Sequence, residues 1–122
     1  MGFPGTDAPL TTTDRKIKAD RAAVVRFMQA YLETVHFFQT NKPATARLLS
    51  KYMRGVSEEH ISLWCDDLRS LIRQVPYADE EALRTELEMM NIPGGQIPPG
   101  YVNNSILDEL KKSGFINKLY KQ

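Results

Sequence analysis

Apolar residues recur along this chain at spacings of three and four, interrupted by short clusters of proline, glycine and asparagine. Between Ala22 and Gln39, the side chains of Val24, Phe27, Met28, Tyr31, Leu32, Val35 and Phe38 fall on one stripe, with Arg21, Arg26, Gln29, Glu33 and His36 off it. That period predicts an amphipathic helix of about five turns. Asp20 or Thr13 is placed to cap its start. Thr40-Asn41-Lys42-Pro43 breaks the chain and restarts it, with Asn41 as cap and Pro43 in a first helical turn. The second helix then runs to about Arg54, with Leu48, Leu49, Tyr52 and Met53 buried and Gly55 as its stop.

A third helix opens at Ser57-Glu58-Glu59-His60, with acids where the helix dipole favours them. Its stripe is Ile61, Trp64, Cys65, Leu68, Leu71 and Ile72, and Pro76 ends it. A fourth follows Ala78-Asp79, with Leu83, Leu87 and Met90 on one face. Residues 91–100, NIPGGQIPPG, are loop. In SILDELKKSGF, Ser105 as N-cap and Asp108 three positions on form the arrangement of a capping box. Ile106, Leu107 and Leu110 face inward, Lys111 and Lys112 sit at the negative end of the dipole, and Gly114 takes a left-handed stop that folds Phe115 back on Leu110. A helix of about two turns is unstable alone, so Phe115, Ile116 and Leu119 must dock on another surface. Residues 1–13, rich in proline, glycine and threonine, read as an extended arm. The expectation is an all-α fold: residues 14–122 as a single helical domain of four main helices plus a short C-terminal one, preceded by that arm.

Composition narrows the chemistry. The 122 residues suit one domain. Lys plus Arg number 16 against 15 Asp plus Glu, so charge supplies no reason to expect nucleic acid or an anionic membrane as partner. No apolar run approaches a membrane span, and the N-terminus has no signal-peptide pattern. This reads as cytoplasmic as written, and as periplasmic if the chain belongs to a longer secreted precursor. The single Cys65 has no internal disulfide partner. His60, Cys65, Asp66 and Asp67 are the one cluster with metal-ligand chemistry, but helical spacing of five and six does not converge them. Glu58-Glu59, Asp66-Asp67 and Glu80-Glu81 are adjacent and splay apart. No catalytic residue, cofactor site or metal site is assigned, and His36, beside Phe37-Phe38, reads as a boundary histidine.

Three longer segments carry a family resemblance. DRAAVVRFMQAYLETVHFFQTNKPATARLLSKYM (20–53), VPYADEEALRTELEMM (75–90) and YVNNSILDELKKSGFINKLY (101–120), with FPGT and the threonines before them, resemble in order the carboxy-terminal part of solute-binding proteins of the nitrate/sulfonate/taurine type, a group that includes thiamine-pyrimidine-synthase-like proteins. The last segment is the most specific. The resemblance implies the helical C-terminal portion of a periplasmic-binding-protein-like α/β receptor that delivers a small molecule to an ABC transporter. The strands of both lobes and most of the ligand cleft have no counterpart in this chain, and no ligand-binding residue carries over to a numbered position. The leading expectation is therefore a non-catalytic fragment or stand-alone descendant. The alternatives are a helical protein-interaction module using the former lobe-facing surface, or an enzyme related to pyrimidine synthesis. The last lacks the cysteine-rich motif of the synthases. Helix faces that would cover a lobe are left bare, which leads to an expected homodimer, with residues 3–13 crossing to the partner, or another protein partner.

Overall fold

The computed structural model describes residues 10–92 and 97–121. Among the described residues seven helices follow one another: α1 (Asp14–Ala19), α2 (Arg21–Thr40), α3 (Lys42–Tyr52), α4 (Glu58–Leu71), α5 (Glu80–Met89), α6 (Ser105–Lys112) and α7 (Phe115–Tyr120). Among the described residues there is no strand, and the fold is all-α. Two helices are additional to the five expected: α1, which a side-chain cap starts, and α7, which follows the left-handed Gly114. Thr13 and Asp20 were weighed as alternative caps for one helix; both are used. The Thr13 hydroxyl accepts the Lys16 N–H at 3.1 Å and starts α1, and the Asp20 carboxylate accepts the Ala23 N–H at 3.1 Å and starts α2. Of the expected arm, residues 10–13 are non-helical and exposed, whereas residues 1–9 lie outside the described residues.

The 20-residue α2 is the spine, about 30 Å long. It touches α1, α3, α6 and α7. Asn41 serves two helices: its N–H closes the last turn of α2 on the Phe37 carbonyl, and its side chain accepts the Ala44 N–H at 3.3 Å to open α3. α3 then packs on α4, with Thr45 of α3 and Ile61 and Cys65 of α4 as the buried residues of the pair. α4 stops at Leu71 rather than at Pro76. The carbonyls beyond it are drawn into tertiary bonds instead: Gln39 Nε2 donates to the Ile72 carbonyl at 2.9 Å, and the Tyr120 hydroxyl donates to that of Gln74 at 3.1 Å.

The main apolar cluster joins Leu32 of α2 to Ile106, Leu107 and Leu110 of α6 and Ile116 of α7. Leu32 is fully buried, and Val24, Met28, Val75, Tyr77, Phe115 and Leu119 close around the cluster. Docking of the C-terminal segment, expected from its shortness, therefore occurs on α2. The capping detail differs from expectation. Ser105 is the first helical residue rather than the cap, and Asn104 precedes it without a side-chain cap bond. The Asn104 amide is engaged elsewhere, accepting the Ala78 N–H at 2.9 Å and donating to the Ala78 carbonyl at 3.0 Å. Asp108 accepts the Tyr77 hydroxyl at 3.3 Å instead of closing a capping box. The helix start has exchanged a local cap for a cross-chain clasp with residues 77–78. Gly114 does take the left-handed backbone, at φ 79°, but the chain beyond it winds at once into α7.

Truncating the best-buried side chain tests this core. Leu32→Ala is expected to lower unfolding stability by about 2–5 kcal/mol, seen as a lower urea midpoint with an unchanged m-value.

Candidate functional site: the exposed face of the α3–α4 pair

The candidate metal cluster is not assembled. Cys65 is buried, whereas His60 is exposed, with its Nδ1 at 2.7 Å from the Ser57 hydroxyl at the start of α4. Asp66 pairs with Lys42 at 2.6 Å, and Asp67 lies exposed beside it. Among the described residues no three His, Cys, Asp or Glu side chains are grouped to hold a metal. Glu58 and Glu59 occupy the first turn of α4, and Glu80 and Glu81 that of α5, where they face the positive end of the helix dipole. His36 is half-buried, its ring edge-on to Tyr120 with centroids 5.1 Å apart, as a boundary histidine would be. Residues 93–96, the paired glycines of the loop among them, lie outside the described residues.

Polar groups are concentrated where segments meet. Arg69 reaches from α4 to the Gln39 carbonyl at the end of α2, while the Gln39 side chain bonds the Ile72 carbonyl. Gln39 Oε1 is buried without a partner, so the junction is held by its donors. At the other end Arg21 pairs with Glu109 at 2.7 Å, tying the start of α2 to α6. Both side chains are about half exposed, and the pair contributes about 0.2–1 kcal/mol. The Asp20 carboxyl is held below its ordinary range by the Ala23 N–H and by Lys16. The phenols of Tyr77 and Tyr120 are both pushed up, chiefly by burial, with the Asp108 carboxylate adding to the rise at Tyr77.

What most distinguishes the surface is apolar. The apolar stripe of α3 and α4 was expected to lie inside, yet Leu48, Tyr52, Trp64 and Leu71 are exposed, Tyr52 by 84% and Leu71 by 63%. Phe27 of α2, at 61%, and Met90 after α5, at 70%, are likewise uncovered. The physical reason is layering. α3 and α4 bury one flank against each other and against the end of α2, but α6 and α7 cover α2 rather than them. The periodicity that marks an inward face therefore continues around the pair without a second layer on it. Spacing alone registered the apolar stripe; it carried no information on which part of it α6 and α7 would reach.

Among the described residues no helix is long and apolar enough to cross a membrane. Searches against protein-family models, curated proteins and solved structures returned no significant match for this chain.

Tyr77 and Tyr120, beside the apolar cluster of α2, α6 and α7, give the fold a pH signature. A phenol whose folded pKa is raised stabilises the fold fully below its unfolded value, near 10, and that contribution is lost as pH rises through the folded value. The melting temperature should therefore fall above about pH 10. A Tyr77→Phe/Tyr120→Phe variant should lose less across the same interval, as followed by far-ultraviolet circular dichroism.

Proposed function

We propose that the chain is the helical C-terminal part of a solute-binding protein of the nitrate/sulfonate/taurine type, acting as scaffold rather than as catalyst. The observation that carries this reading is the mutual packing of the three segments that resemble the family. Leu32 from the first, Val75 and Tyr77 from the second, and Ile106, Leu107, Leu110 and Ile116 from the third meet in one apolar cluster. Segments that resemble, in order, parts of a larger receptor pack together in this chain. In such a receptor the strands and the ligand cleft lie in other parts of the chain, so this unit positions and supports rather than binds the solute. A second reading, a helical module that docks on another protein, is favoured by the exposed Tyr52, Trp64 and Leu71.

Two measurements separate the readings. The receptor reading expects the genomic frame upstream to continue into a strand-rich segment with a secretory leader; an isolated frame would favour the docking module. It also expects that nitrate, taurine, aliphatic sulfonates and pyrimidines leave the melting temperature of the 122-residue chain unchanged. A ligand specific to the folded state raises that temperature, so a concentration-dependent rise with any of them would contradict the scaffold role.

A further inference from the structure

The exposed stripes of α3 and of α4 supply the two halves of a contact. On α3, Leu48 and Tyr52 are four residues apart and share a stripe; on α4, Trp64 and Leu71 are seven apart and share another. The two helices carry opposite charge. α3 holds Lys42, Arg47 and Lys51 with no acid, whereas α4 holds Glu58, Glu59, Asp66 and Asp67 against Arg69. Lys42 and Asp66 use each other within the chain, and Arg69 is committed to the Gln39 carbonyl. Arg47 and Lys51, which flank Leu48 and Tyr52, enter no ion pair among the described residues, nor does Asp67, midway between Trp64 and Leu71.

We propose that this face joins two copies of the chain in a two-fold homodimer, with α3 of each copy lying on α4 of the other. A two-fold interface must be self-complementary, since every contact is made twice with the roles exchanged. A basic, apolar α3 beside an acidic, apolar α4 meets that requirement: Arg47 and Lys51 of one copy face Asp67 of the other around a centre of Tyr52 and Trp64. The inference concerns the 122-residue chain by itself and does not depend on the receptor reading.

The test uses sedimentation equilibrium together with the fluorescence of Trp64, the single tryptophan. The full chain is expected to be dimeric at tens of micromolar, with Trp64 emission moving to shorter wavelength as concentration rises through dissociation. Leu71→Lys, a change at an exposed site, should weaken association at least tenfold without altering the circular dichroism of the monomer. An Arg47→Glu/Lys51→Glu variant and an Asp67→Lys variant should each be monomeric alone. Mixed in equal amounts they should form a heterodimer, because the mixture sets acid against base at both contacts. A monomeric parent chain would overturn the proposal, as would a dimer whose Trp64 emission does not move. A mixture that stays monomeric would overturn the charge pairing on which it rests.

Discussion

Burial of Leu32 beneath α6 and α7 is the contact on which the rest of the fold depends. The two C-terminal helices have 8 and 6 residues, too few to persist alone in water. They exist because Ile106, Leu107, Leu110 and Ile116 are removed from water on α2. Dependence runs the other way as well. α2 is long enough to be helical with little help, but its apolar stripe needs a cover, and the C-terminal pair supplies it over Val24, Met28 and Leu32. Removing four to five aliphatic side chains from water at about 1.5–3 kcal/mol each is a large gain for so small a contact. The glycine between α6 and α7 lets two short helices lie on one spine where a continuous rod would present a single stripe.

The polar contacts follow from that docking rather than create it. Once α6 lies on α2, Asn104 is brought to Ala78, Asp108 to Tyr77 and Glu109 to Arg21. Each bond joins residues far apart in sequence, and each is worth little by itself in exposed surroundings. The first two pin the segment after α4 against α6, and the third ties α6 to the start of α2. That also explains why α4 gives up its last turn. The Ile72 carbonyl, on extended backbone, accepts from Gln39, and the Gln74 carbonyl accepts from Tyr120.

Much of this organisation was legible in the residues. Three-and-four spacing located α2 through α6 to within a few positions, Asn41 and Gly55 marked the right breaks, and Gly114 marked a left-handed turn. Other features were not legible because they depend on tertiary competition. Ser105 and Asp108 form a sound local capping pattern, but Asn104 and Asp108 have partners 26 and 31 residues away in sequence that no local rule reveals. Tyr52, Trp64 and Leu71 lie on amphipathic stripes, and a stripe shows that a face is apolar without showing what lies over it. The resemblance led to an expected uncovered apolar surface somewhere on the domain, without saying on which helices, and Leu48, Tyr52, Trp64 and Leu71 were assigned to the interior. Cys65 is turned inward, and His60 is held on Ser57.

Native-state hydrogen exchange read amide by amide tests the central claim most directly, since it reports which elements open together. If the clasp of α6 and α7 on α2 holds the fold, amides around Leu32 and those of Leu110 should share the highest protection. They should exchange in one cooperative opening, with α3 and α4 opening at lower free energy. A result in which α6 and α7 exchange freely while α2 remains protected, or in which α3 and α4 form the most protected unit, would contradict it.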